Sequence, residues 1–358
     1  MGSKKGIIFA GAVIGFLSAM LVFFGNPGNM GVCVACFIRD TAGALGLHSV
    51  EKLSYIRPEI IGIVLGAFIM AIIGKEFNAK GGSSPFIRFV LGFVVMVGAL
   101  VFLGCPLRMI LRLGGGDLNA IVGLVGFTVG IIGGIFFLNK GFSLKRTYKL
   151  NKVEGYLFPL ICVALAVLVI VAPAFVTLKA KHAPLFIALG VGSVAGILAQ
   201  RTRLCMVGGI RDLFLFKDGY LISGFISIFV FVLIGNIIFG NLNVGFVGQP
   251  AAHNDGLWNF LGMFVAGWGS VLLGGCPLRQ LVLSGEGNID SVVTIMGMLL
   301  GGALSHNFAL ASSGAGPSPN GRIAVIIGIF ILLGISYFNI EKVKVKMKGD
   351  AKVDSSRC

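Results

Sequence analysis

Long apolar runs alternate along this chain with short connectors. They lie at 7–24, 58–74, 86–104, 118–138 and 156–173 in the first half, and at 184–200, 220–240, 257–275, 290–310 and 322–339 in the second. A membrane-spanning helix needs about 20 mostly apolar residues, so the pattern predicts ten. The connectors are of two kinds: polar stretches suited to water, and semi-apolar ones too short to cross. Gly6–Phe24, behind Lys4 and Lys5, has the outline of a secretory signal peptide. With no small-x-small cleavage site after it, and with a counterpart later in the chain, it reads instead as a retained first helix.

Self-comparison divides the chain into two related halves. Cys33-Val-Ala-Cys-Phe-Ile-Arg39-Asp40 matches Cys205-Met-Val-Gly-Gly-Ile-Arg211-Asp212, a C-x5-R-D pattern. Gly104-Cys105-Pro106-Leu107-Arg108 recurs as Gly275-Cys276-Pro277-Leu278-Arg279, and Gly114-Gly-Gly-Asp117-Leu-Asn119 as Gly285-Glu-Gly-Asn288-Ile-Asp290. Three motifs in one order at nearly one offset indicate internal duplication. An odd number of crossings per unit, five, makes the second unit start on the opposite side, so the repeats are inverted.

Composition then fixes the class. The chain is 56% hydrophobic and only 12% charged, with a mean hydropathy of +0.97, which excludes an ordinary soluble domain. The net charge of +15 does not point to nucleic acid, because the Lys and Arg lie mostly between apolar runs and in the tail 341–358. Lys75 to Arg88, Lys140–Lys152 and the tail then fall on the cytoplasmic side, as the positive-inside rule asks. Residues 241–256 hold no Lys or Arg, whereas Lys179 and Lys181 run against the trend. The expected fold is an all-α integral membrane protein with about ten transmembrane helices in two inverted repeats, short re-entrant helix-loop segments, an hourglass shape and both termini cytoplasmic. Its parts are 1–155, the first repeat with its basic loop; 156–178, a linking fifth helix; 179–340, the second repeat and last helix; and 341–358, a basic tail.

The repeated residues carry the chemistry. The stretch from Pro106 to Leu113 is about 12 Å long as a helix, less than half the hydrocarbon thickness, so it dips in and turns back. Irregular backbone at that depth must be buried in protein or line a watery cavity. Cys105 and Cys276, each before a proline suited to a first helical position, are expected as helix caps beside free N–H groups that attract anions. Arg108 and Arg279 add forked donors for oxyanions. A thiol is a weak donor with a polarizable sulfur, so it can replace part of the hydration of a soft sulfur or selenium atom without trapping it. The expected pathway residues are therefore Cys33, Cys105, Cys205 and Cys276 with Arg108, Arg279, Arg39 and Arg211, the C-x5-R-D pairs forming a second layer. Cys33, Arg39, Cys105 and Arg108 approach from outside, and Cys205, Arg211, Cys276 and Arg279 from inside.

Plainer readings apply elsewhere. Cys162, between Ile161 and Val163, is a small apolar residue, and Glu59 after Arg57-Pro58 is a helix-start charge. The GGGDLN and GEGNID stretches are turns and N-caps. His48, His182, His253 and His306 have no ligand spacing, so neither metal nor cofactor is expected, and the scarcity of acids within apolar runs leaves no proton relay. Cys33-Val-Ala-Cys36 is a C-x-x-C, and it supports an alternative, a membrane thiol-disulfide oxidoreductase using Cys33 and Cys36. A third reading is a membrane subunit that only docks a soluble enzyme.

The doubled C-x5-R-D and G-C-P-L-R patterns in a Gly-rich membrane chain resemble the YeeE/YedE sulfur-transport family of inner-membrane proteins. Gly25-Asn-Pro-Gly-Asn-Met-Gly-Val-Cys33-Val-Ala-Cys36-Phe-Ile-Arg39-Asp40 and Arg57-Pro-Glu-Ile-Ile-Gly62 are most similar to its YedE branch of selenium transporters. The resemblance covers roughly residues 6–340. It implies an hourglass fold with cysteines along the path, import of a small sulfur- or selenium-containing anion, thiosulfate in one branch, and a small soluble TusA-like sulfur-relay protein as partner, with membrane lipid around the chain.

Overall fold

The computed structural model describes residues 3–341, so the basic tail lies outside the described residues apart from Glu341. The first half runs α1 (Lys4–Phe23), α2 (Val34–Ala44), α3 (Pro58–Ile73), α4 (Pro85–Phe102), α5 (Pro106–Gly114), α6 (Asn119–Asn139) and α7 (Lys152–Val171). The second half repeats the order as α8 (Leu185–Thr202), α9 (Met206–Phe216), α10 (Tyr220–Ile238), α11 (Gly256–Leu272), α12 (Pro277–Gly285), α13 (Ile289–Asn307) and α14 (Pro319–Phe338). Among the described residues, 10 helical stretches are long and apolar enough to cross a membrane. Only two short strands occur there, β1 (Lys80–Gly81) and β2 (Tyr148–Lys149), paired antiparallel. The protein is an all-α integral membrane protein.

Local chemistry sets the helix ends. Ser3 caps α1 by accepting from the Gly6 amide, and Ser318 caps α14 by accepting from Gly321. The expected fifth run, 156–173, begins earlier, at Lys152, because Asn151 and Glu154 form a capping box. The boundary expected between 155 and 156 therefore falls inside α7.

Contacts between connectors sort them onto two faces. On the near face, which carries the start of α1, β1 pairs with β2, Lys80 bridges to Asn288, and Phe142 bridges to Ile340. On the far face, Asp117 bridges to Gly245, and the Ser312 hydroxyl and His253 both reach the Val101 carbonyl. The connector after α7 joins the far-face group, since Thr177 N–H donates to the Ala44 carbonyl. α7 therefore crosses, the crossing count per half is odd, and the two repeats are inverted.

Packing follows the same symmetry. α3 lies against α8 as α10 lies against α1, and α6 against α11 as α13 against α4. The α3–α8 contact shows why glycine is needed. A Cβ on Gly62 or Gly66 would strike the backbone of Leu189 or Ser193, and one on Gly192 or Gly196 the backbone of Glu59 or Ile63. Lipid tails are as apolar as leucine, so helices in a bilayer associate through this kind of close backbone approach.

Candidate functional site

All four short helices begin immediately after a repeated cysteine. Cys33, Cys105, Cys205 and Cys276 occupy the N-cap positions of α2, α5, α9 and α12, each with an extended backbone. In α2 and α9 the sulfur itself caps the helix: Cys33 Sγ accepts from the Cys36 amide at 3.4 Å, and Cys205 Sγ from the Gly208 amide at 3.3 Å. In α5 and α12 a proline holds the first helical position and the cysteine makes no capping bond.

The caps meet in pairs. Cys33 Sγ stands 3.9 Å from Cys105 Sγ, and Cys205 Sγ 3.8 Å from Cys276 Sγ. Each half thus aims two helix N-termini at one spot, with a thiol at each tip. The partial positive charge of both ends and their unpaired amides favour an anion there. The cysteines of the C-x5-R-D motifs, expected as a second layer, stand in the same layer as those of the C-P-L-R motifs. No offset within one half could reveal this, because the partners are about 70 residues apart and meet only when α2 and α5, or α9 and α12, converge.

The four expected arginines behave differently. Arg108 is 0% exposed. Its guanidinium donates to Cys36 Sγ at 3.1 Å and to the carbonyls of Asn29 and Ala251, at 3.0 and 3.1 Å. Among the described residues it has no carboxylate within ion-pair distance. Arg279 instead reaches Glu286 Oε1 at 3.1 Å. Arg39 pairs with Asp40 at 2.6 Å, and Arg211 with Asp212 at 2.8 Å in a more open setting.

Several polar residues of the site escaped sequence reasoning. Arg57 takes the second oxygen of Asp40 at 2.6 Å and lies over the Phe37 ring. Arg112, fully buried, pairs with Asp117 at 2.6 Å and stacks on Phe102. Asp117 is therefore an ion-pair partner as well as a turn residue, whereas Asn288 is the expected N-cap, of α13. Glu286 also receives Arg203, which in turn holds Glu76. Glu59 is not only a helix-start charge: it is fully buried and accepts from Asn26 Nδ2 at 2.8 Å. The one available signal was spacing, Arg112 and Asp117 flanking a triple-glycine turn.

A connector roofs each pair. On the far face 241–255 lies over α5, with Asn243 and Gly245 amides donating to Gly115 and Gly116. Burial lowers the His253 pKa, so the neutral ring donates from Nε2 to Val101 at 2.8 Å and fixes this loop. On the near face 74–84 lies over α12, with the Asn78 and Lys80 amides donating to Glu286 and Gly287. Cys162 is buried among apolar neighbours. Among the described residues, no three His, Cys, Asp or Glu side chains converge as a metal ion would require.

Comparison with known proteins places the second half of the chain beside sulfur transporters. Residues 201–336 match the family described as Sulphur transport. The thiosulfate transporter TsuA of Escherichia coli (strain K12) is 28% identical over 105 residues, 29% of each chain. The thiosulfate transporter TsuA of Spirochaeta thermophila is 38% identical over 98 residues, 27% of this chain and 29% of its own. The matched stretch thus spans under a third of either relative's length. The second half of the chain, with Cys205, Arg211, Cys276 and Arg279 inside the matched residues, is thus similar to the family described as Sulphur transport.

Proposed function

We propose that this protein is a transporter, not an enzyme, that carries a small sulfur-containing anion inward across the cytoplasmic membrane. The observation that carries this reading is the pair of buried thiol sites, Cys33 with Cys105 and Cys205 with Cys276, each at converging helix N-termini and each approached from an opposite face. The basic connectors Lys75 to Arg88 and Lys140–Lys152 share the near face, which supports reading that face as the cytoplasmic one.

The anion enters from the far face, where Cys105 and Cys33 replace part of its hydration and Arg108 offsets its charge. It then passes to Cys205 and Cys276 and leaves past Arg279. Each contact is a hydrogen bond or a dispersion contact with a polarizable sulfur, and no covalent bond forms or breaks. Such contacts are favourable enough for entry and weak enough for release. Thiosulfate is the first substrate to test, because both relatives carry it in their names. A selenium anion presents an equally soft atom and is the natural competitor. A TusA-like sulfur-relay protein would meet the near face.

The oxidoreductase reading is not favoured. Cys36 Sγ is engaged by Arg108, and the repeat partner of Cys36 is Gly208. The test is flux of labelled thiosulfate into liposomes holding the purified chain, with selenium anions as competitors. Flux above empty liposomes is expected, and its absence would refute transport by the chain alone.

A further inference from the structure

Lys179 and Lys181 stand out in the sequence as positive charges on the poorly charged side. The structure gives them a common target. The far-face connector 172–184 is strapped onto the loop between α2 and α3: the Lys179 and Ala180 amides both donate to the Ser54 carbonyl, at 2.9 and 3.1 Å. The His182 ring stacks on Tyr55 with centroids 3.9 Å apart, and the Ala183 amide donates to Asn26 Oδ1 at 2.9 Å. Along an extended strap alternate side chains share a side, so Lys179 and Lys181 are exposed together while Ala180 is buried beneath them.

Both lysines line a cavity of 390 Å³ with Lys52, Arg39, Arg57 and Asp40. Asp40 lies at its base, holding Arg39 and Arg57 on its two oxygens. Lys179 also meets Glu51 at 2.6 Å in an exposed pair, which solvent screens and weakens. Five cations stand against Asp40, Glu51 and the nearby Glu59, an excess of two positive charges. Arg39 lies six residues along α2 from Cys33, about 9 Å of helix.

The loop that carries Lys52 and Arg57 has no counterpart in the second repeat. α9 and α10 are separated by only three residues, Lys217 to Gly219, where α2 and α3 are separated by the whole loop 45–57. Lys52 and Arg57 thus come from chain that the second repeat lacks, whereas Arg39 and Asp40 belong to the repeated motif.

We propose that this cavity is an anion-docking vestibule, in which Lys52, Lys179 and Lys181 collect a small inorganic dianion ahead of the thiol pair. It deepens the transport reading and rests on it for the direction of passage. A concave patch of one sign raises local counter-ion concentration and on-rate, and this effect declines with salt.

The triple variant Lys52→Gln/Lys179→Gln/Lys181→Gln is expected to raise the KM for thiosulfate uptake about tenfold at low salt. Its kcat should stay at the wild-type value, and the difference should close at high salt. The matching triple Lys→Arg variant should keep the wild-type KM, as should Arg146→Gln on the near face. A triple Gln variant with wild-type KM and wild-type salt dependence overturns the vestibule. Should the wild type carry no thiosulfate, the transport reading fails by itself. The vestibule is then judged by equilibrium binding of sulfate and thiosulfate to the purified full chain at low salt. A Kd about tenfold weaker in the triple Gln variant supports it, and equal Kd values overturn it.

Discussion

The two thiol pairs share a backbone and differ in the charges packed against it. Both are built from an 11-residue and a 9-residue helix that each start behind a cysteine at the N-cap position, with sulfurs 3.9 and 3.8 Å apart. In the first repeat a third thiol, Cys36, stands against a fully buried Arg108 that has carbonyls and sulfur for partners. In the second repeat Gly208 replaces Cys36, and Arg279 is tied to a carboxylate, Glu286. Duplication thus preserved the converging helix ends, and divergence set the charge. An uncompensated cation on the far side attracts an anion more strongly than a neutralised one on the near side. That gradient suits capture at one end and release at the other.

Mutations can break this comparison in order of effect. The largest concerns Arg112 and Asp117, which have no equivalent pair in the second repeat, where Leu283 and Asn288 stand. Asp117→Asn leaves a buried guanidinium unpaired and should cost about 3–5 kcal/mol of stability, whereas Asn288→Ala removes only a cap and should cost about 1 kcal/mol. Thermal unfolding of the two purified variants in detergent measures the difference. Next, Arg108→Gln removes charge-assisted bonds worth about 1.5–3 kcal/mol and should weaken the apparent affinity for thiosulfate about 10-fold to 100-fold. Arg279→Gln, whose charge is already offset by Glu286, should change it by a few-fold at most, and concentration dependence of uptake separates the two. The smallest effect is expected of Cys36→Gly, which copies the second repeat into the first. Uptake should fall by no more than about threefold, since the helix ends and the facing thiols remain. A loss as complete as that of Cys33→Ser would instead favour thiol-disulfide chemistry.

Much of the fold was legible because its cause is local. Each spanning helix needs its own apolar run, and the motif offset exposes the duplication without any contact information. The inversion hinged on one weakly marked helix, α7, whose capping residues Asn151 and Glu154 lie just outside its apolar run. The four repeated cysteines were legible through repetition, and the N-cap position of Cys105 and Cys276 through the prolines behind them. Their pairing was not, because Cys33 and Cys105 meet through convergence of helices whose apolar faces fit many neighbours equally well. Arg57, Arg112 and Glu286 escaped because they are unique to one half, and self-comparison only finds what is shared. Lys179 and Lys181 were visible as anomalies of charge, but the cavity they face exists only once the strap folds onto Ser54.

The central claim is that both thiol pairs lie on one anion path. It is tested most directly by labelled thiosulfate uptake into liposomes holding wild type, Cys105→Ala or Cys276→Ala, with each variant first shown to be folded and inserted. Both substitutions should abolish uptake, although they sit in opposite repeats and on opposite approaches. Wild-type uptake by both variants would contradict it.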